Sequence, residues 1–196
     1  MNNTLFITIL SLLTLFSPVV KAQESMPATA IRQPDAFFQY AVYINEERPA
    51  SDEGMMDAVK SVWLANERMG TYTKVCVTNP SAPIVWEKMK AVAPNALDVP
   101  ITEILAADKA LIAPGDVSKV IVEGCPDGRN IFTYVIDVEK HTAKQFPSTE
   151  GVVETNWEKK ELTLSFYGYD DEGRYSYKQV FSIDGSFLRP TGAKER

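Results

Sequence analysis

Residues 162–183 read LTLSFYGYDDEGRYSYKQVFSI, two runs of alternating apolar and polar residues around an acidic turn. Alternation with a period of two is typical of β-strands that bury one face, and the Asp-Asp-Glu-Gly segment favours a turn. Matching the apolar faces sets Leu162 opposite Ile183 and makes residues 171–174 the loop. The stretch therefore predicts an antiparallel hairpin with one buried face.

The same period continues through most of the C-terminal half, residues 117–185. Further strands are predicted at residues 119–123, 132–138 and 152–157. Face matching sets Trp157 opposite Leu162, so that three consecutive strands share one buried face. Because the connections are short, these strands predict an antiparallel β-meander.

The N-terminal half, residues 37–116, spaces its apolar residues differently. Near-helical spacing predicts a first helix that begins at Ser51 or Asp52 and ends at Gly70. Its apolar face would carry Met55, Met56, Val59, Val62, Trp63 and Met69. A second helix is predicted at residues 85–92, and a third, weaker one at residues 101–111.

Two strands are also expected in this half, at residues 37–44 and 71–78, because both runs are rich in aromatic and β-branched residues. Helices and strands in separate blocks indicate an α+β fold. We expect an antiparallel β-meander in the C-terminal half, with two or three helices from the N-terminal half packed on one of its faces.

The N-terminus resembles a secretory signal. Leu5 to Phe16 is an uncharged apolar run, too short to span a bilayer as a helix, and Val20-Lys21-Ala22 supplies small residues for cleavage. Residues 1–22 are therefore predicted to be a signal peptide, 23–36 a flexible lead-in and 37–196 a single domain. An uncleaved anchor is the alternative, because the first four residues carry no basic side chain. After cleavage we expect a periplasmic or secreted protein without stable membrane insertion.

Export bears on the two cysteines, Cys76 and Cys125. An oxidising compartment allows the pair to close, so a single disulfide between them is predicted. Two unrelated buried thiols are the alternative.

Composition excludes several classes of function. Twenty-six acidic residues outnumber twenty basic ones, for a net charge of −6, and no basic run exceeds two residues. Nucleic acid is therefore not an expected partner. One histidine and two cysteines are too few for the common zinc and redox motifs, and no nucleotide-binding or hydrolase motif is present. Accordingly, we expect no metal and no cofactor.

The predicted hairpin leaves two tyrosines on its outer face beside an acidic turn. Amphipathic aromatic residues with a charged rim are typical of protein-binding surfaces. Adjacent acids without the spaced pattern of calcium loops do not predict a cation site. The candidate partner-binding residues, called here the hairpin surface, are Tyr167, Tyr169, Asp170, Asp171, Glu172, Arg174 and Lys178.

These observations predict an exported, non-catalytic protein that binds another protein in the cell envelope or outside the cell, as an inhibitor, immunity factor or accessory module does. Two alternatives remain open. The first is a small secreted hydrolase that uses His141 or a carboxylate pair, such as Glu46 with Glu47 or Asp52 with Glu53. The second is a small-ligand carrier with a cavity between sheet and helices, lined by Trp63, Trp86 and Tyr134.

Overall fold

The computed structural model describes residues 25–51, 58–84, 95–146 and 150–195. The predicted signal peptide lies outside them. The described part contains thirteen β-strands and one 3-10 turn at Ile101–Glu103. The strands are β1 Ile31–Phe37, β2 Tyr40–Arg48, β3 Val59–Asn66, β4 Thr71–Val77, β5 Leu97–Val99, β6 Lys109–Ile112, β7 Lys119–Gly124, β8 Phe132–Asp137, β9 Thr142–Phe146, β10 Val152–Asn156, β11 Glu161–Asp170, β12 Gly173–Ser182 and β13 Phe187–Glu195.

These strands form three antiparallel sheets. The first sheet has the order β1-β2-β3-β4, the central sheet β5-β9-β8-β7-β6 and the third sheet β10-β11-β12-β13. Most neighbouring strands are also consecutive in sequence, so each sheet is built largely from hairpins.

The central sheet is buried on both faces. Along β8, Tyr134 and Ile136 belong to a core shared with the first sheet, whereas Val135 belongs to a core shared with the third. The same alternation places Ile112 of β6 in the first core and Leu111 in the second. Because side chains alternate across a strand, one apolar run serves two cores. The molecule is therefore three sheets deep.

The predicted α+β class is wrong, because the described residues contain no α-helix. Residues 59–66 of the predicted first helix form β3, while residues 52–57 lie outside the described part. Both faces of β3 carry buried side chains: Val62 belongs to the first core, whereas Trp63, 2% exposed, does not. Apolar residues on both faces break the period of two, and such a run cannot be told from a buried helix by periodicity alone.

The predicted third helix, residues 101–111, is also absent. Its beginning forms the 3-10 turn and its end forms most of β6, in which Ala110, Leu111 and Ile112 are all buried. The predicted second helix, residues 85–92, lies outside the described residues. In the described part, sheets rather than helices cover both faces of the central sheet. Ala110 and Leu111 of β6 are therefore buried between sheets, and this burial outweighs their preference for helix.

Strands β11 and β12 confirm the predicted faces but not the predicted register. Leu162 pairs with Phe181 rather than Ile183, and only Asp171 and Glu172 separate β11 from β12. The preceding hairpin is also displaced by two residues, since Thr155 rather than Trp157 pairs with Leu162. A displacement of two keeps each side chain on its face, so the apolar positions of β11 and β12 still point into the second core.

The first strand also departs from the sequence-based expectation. β1 begins at Ile31, inside the stretch predicted as a lead-in, and turns into β2 at Phe38, which has a φ of 52°. Phe38 exposes 87% of its surface. None of the described segments forms a helix with the length and apolarity needed to cross a bilayer.

Candidate functional site

The hairpin surface lies on the outer face of the β11–β12 hairpin. Cross-strand pairing places Tyr169 opposite Arg174 and Tyr167 opposite Ser176. The described part of β10 pairs with β11 only as far as Leu164, and β13 pairs with β12 as far as Ser176. Gly151 and Glu150 extend this pairing to Ser165, and beyond Ser165 and Ser176 no other described segment pairs with β11 or β12, so the two strands form a two-stranded ribbon there with Tyr169 near its end.

A network of contacts orders the aromatic part of the ribbon. The Arg174 guanidinium lies over the Tyr167 ring, 4.6 Å from its centroid, and its Nη2 lies 2.6 Å from Glu150 Oε1. The Tyr167 hydroxyl donates to Asn130 Oδ1 at 3.2 Å. Cation–π contact, ion pair and hydrogen bond together fix Tyr167, which is half-buried. Tyr167 therefore has a structural role.

Tyr169 differs, because it exposes 71% of its surface. Its ring meets the Tyr167 ring edge to face, with the centroids 5.9 Å apart. A large amphipathic side chain supported from one side by an ordered ring loses little conformational freedom when a partner covers the other side. Tyr169 is thus the most accessible aromatic group of the hairpin surface.

The acidic end of the ribbon is ordered by its own turn. The Glu172 N–H donates to Asp170 Oδ1 at 3.1 Å, while Asp171 and Glu172 are exposed. Gly173 follows with a φ of 115°, which favours glycine at this position. Lys178 pairs with Ser165, which lies two residues before Tyr167 on β11 and on the same face. The predicted residues thus lie along one hairpin, with Lys178 in the part of β12 that also pairs with β13.

Within the described residues, the candidate catalytic groups do not form one site. His141 is exposed in the turn between β8 and β9, with a φ of 54°. Glu46 and Glu47 are exposed neighbours on β2, where the pairing with β3 shifts register, and Glu47 Oε1 accepts a hydrogen bond from the Ser61 hydroxyl. Asp52 and Glu53 lie outside the described residues.

The residues proposed to line a carrier cavity are core residues where they are described. Trp63 is 2% exposed and donates from Nε1 to the Ser61 hydroxyl oxygen at 2.8 Å. Tyr134 is fully buried in the first core, where burial raises the pKa of its hydroxyl. Trp86 lies outside the described residues. No group of three or more histidine, cysteine or acidic side chains is placed to hold a metal ion in the described part.

The predicted Cys76–Cys125 disulfide is not formed, because both cysteines are free thiols. Cys76 lies in the first core, and burial raises its pKa to about 12. Cys125 follows β7 in a turn, where its backbone N–H donates to Asp108 Oδ2 at 2.9 Å. Burial and the nearby Asp127 and Asp108 carboxylates raise the pKa of its thiol. The chain therefore holds its two thiols in different surroundings.

A second candidate site is a cleft of about 360 Å³. It lies between β1, β6 and β10, which are edge strands of the first, central and third sheets. Residues of β1 and β10 form its walls, β6 contributes Leu111 and Ile112, and Trp157 contributes an indole ring. Sequence reasoning does not find this cleft, because the three strands are distant along the chain. Pro34, which interrupts the pairing pattern of β1, is the one local signal.

No family model, curated protein sequence or solved structure significantly matches this chain.

Proposed function

We propose that the protein is an exported, non-catalytic binding protein that recognises another protein through the hairpin surface. The observation that carries the proposal is the 71% exposed side chain of Tyr169 on the two-stranded ribbon. The ring beside it, that of Tyr167, is held in place by contacts that involve Arg174, Glu150 and Asn130. Tyrosine and arginine are enriched among the residues that dominate binding energy at protein interfaces.

Charge favours a basic partner surface. Four acidic side chains, those of Asp170, Asp171, Glu172 and Glu150, stand near two basic ones, those of Arg174 and Lys178. Complementary charge raises the rate of association and disfavours acidic competitors. The partner of this proposal therefore presents a basic patch around an apolar recess that accepts the Tyr169 ring.

Export is part of the proposal and rests on the apolar run from Leu5 to Phe16. N-terminal sequencing of the protein recovered from the envelope or medium of its natural host is expected to begin at Gln23. Recovery of an uncleaved chain in the membrane fraction would support the anchor alternative.

A photo-cross-linking amino acid at position 169 tests the binding role in the natural host. Met69 is the matched control position, because it exposes 69% of its surface in the turn between β3 and β4. We expect a discrete adduct from position 169 and none from position 69. Tyr169→Ala is expected to weaken the affinity of the purified pair by about 30-fold, the effect of a strong interface residue. An unchanged affinity would refute the role of Tyr169.

A further inference from the structure

The cleft gathers three outer strands: β1 of the first sheet, β6 of the central sheet and β10 of the third. An outer strand presents one row of backbone N–H and C=O groups that its own sheet does not pair. Such strands are the usual docking points for an extended chain, which adds to the sheet by main-chain hydrogen bonds. The position of the cleft therefore suits a polypeptide segment.

Irregular pairing in the two walls opens the cleft. Between Arg32 and Ala36, three residues of β1 stand opposite one residue of β2, and Pro34 lies within this bulge. The register of β10 also shifts, between Val152 and Glu154. Val153 between them is 51% exposed, although the alternation predicts a buried side chain. Bulges at sheet edges commonly redirect side chains next to binding sites.

Side chains already satisfy two of the strand-edge donors. Gln33 Oε1 accepts a hydrogen bond from the Ala110 N–H at 3.4 Å, and Glu123 Oε1 accepts one from the Val152 N–H at 2.6 Å. These contacts cap the edge of β6 and the beginning of β10. A guest strand would therefore pair along the later part of β10, residues 153–155, where the cleft continues.

The chemistry of the cleft is apolar at its base and acidic on its walls. Leu111 and Ile112 form the base, while the exposed Asp35 and Glu154 stand on opposite walls. Within the described residues, no ion pair engages either carboxylate. The one basic side chain of the lining, Lys109, lies 3.5 Å from Glu123 Oε2. The walls thus present unneutralised negative charge.

We propose that the cleft binds an extended segment of a partner protein in which apolar side chains alternate with basic ones. The apolar side chains lie against Leu111, Ile112 and Val153, and the basic ones meet Asp35 and Glu154. The segment adds to the outer edge of β10. This site shares no residue with the hairpin surface and goes beyond its proposed function.

Two blocked six-residue peptides test the proposal on the full-length protein. One alternates valine with lysine and the other alternates valine with glutamate. Binding is measured by calorimetry and by the emission of Trp157, which lines the cleft. We expect saturable binding of the lysine peptide and none of the glutamate peptide. Trp157→Phe should remove the emission change but not the calorimetric signal.

Charge-reversal variants distinguish binding in the cleft from non-specific attraction between a basic peptide and an acidic protein. The double variant Asp35→Lys with Glu154→Lys is expected to weaken lysine-peptide binding by about tenfold or more, and to gain binding of the glutamate peptide. Glu46→Lys with Glu139→Lys makes the same change in net charge at exposed positions outside the cleft and should keep lysine-peptide binding. Tyr169→Ala lies outside the cleft and should bind the lysine peptide with the affinity of the parent protein.

Three results would overturn the proposal: no saturable binding of the lysine peptide up to about 1 mM, an equal loss in both double variants, or a second copy of this chain in the cleft. Analytical ultracentrifugation detects the last, as a dimer of the parent protein that the Asp35→Lys, Glu154→Lys variant dissociates. Far-UV circular dichroism confirms that each variant is folded.

Discussion

Phe37 and Trp157 stack with their ring centroids 3.7 Å apart and their planes 12° from parallel. Phe37 is the last residue of β1 in the first sheet, and Trp157 begins the turn after β10 in the third. Both rings pack against the first core. The pair therefore joins the two outer sheets around the β6 edge of the central sheet.

Replacing Trp157 with alanine should destabilise the fold measurably. Loss of the stack and of partly buried apolar area is expected to lower the free energy of unfolding by about 2 kcal/mol. Trp157→Phe keeps an aromatic ring beside Phe37 and should cost less than about 1 kcal/mol. Urea unfolding followed by far-UV circular dichroism measures both. Equal losses in the two variants would show that the aromatic stack adds nothing.

Glu123 is the second connection between sheets. It is 6% exposed, and its Oε1 accepts hydrogen bonds from the Val152 N–H at 2.6 Å and the Thr133 hydroxyl at 3.2 Å. Glu123→Ala leaves these donors without their acceptor, so we expect a loss of about 3 kcal/mol in the free energy of unfolding. Glu123→Gln keeps an acceptor oxygen but loses the attraction to Lys109 and should cost about 1 kcal/mol.

The same urea titration serves for Glu123. Glu139→Ala, in the exposed turn after β8, is the matched control and should change stability by less than about 0.5 kcal/mol. If Glu123→Ala were as stable as this control, the hydrogen bond to Val152 would contribute nothing to the joining of the central and third sheets.

Strands β11 and β12 can be predicted from sequence because the apolar residues on one face of each strand lie in a single core, the second. Their register cannot, since a displacement of two residues leaves Leu162 and Phe181 on the same face. The turn decides the pairing, with Gly173 at a φ of 115° directly after Asp171 and Glu172. The alternation alone predicts which side chains lie on the outer face of the hairpin, because a displacement of two residues does not move a side chain to the other face.

The N-terminal half resists the same reasoning because its strands are buried on both faces or contain bulges. Trp63 and Val62 are adjacent and both buried, as are Leu111 and Ile112 in β6. Such runs show no period of two. Only their short length, and in β3 the β-branched residues, indicate a strand. The cleft depends on contacts between strands far apart in sequence, so no local pattern predicts it.

The two thiols should react differently. Without reductant, iodoacetamide at pH 8 is expected to modify Cys125 slowly in the native protein and Cys76 only after unfolding, because Cys76 is 5% exposed and has a pKa of about 12. Intact-mass measurement should show at most one adduct in buffer and two in denaturant. A protein from oxidising conditions that gains no adduct in denaturant would contain the disulfide that the structure lacks.

Glu67 should make stability depend on pH in the acid range. Its Oε1 accepts hydrogen bonds from Arg32 Nε and the Tyr43 hydroxyl, both at 2.7 Å, and these contacts lower the pKa of Glu67 from 4.5 to about 2. The unfolded chain lacks these partners and takes up the proton first. The stabilisation is therefore complete above pH 4.5 and is lost as the pH falls towards 2.

Thermal unfolding midpoints of the parent protein and of Glu67→Gln, measured between pH 7 and pH 2, test this relationship. We expect the parent to be the more stable by a constant margin from pH 7 to about pH 5, and the margin to shrink below that pH. Tyr43→Phe keeps the Arg32 contact but removes one donor, so the pKa of Glu67 is lowered less; its pH-dependent loss of stability should be smaller than in the parent and complete at a higher pH. A margin between the parent and Glu67→Gln that persists at pH 2 would show that ionisation of Glu67 is not its source.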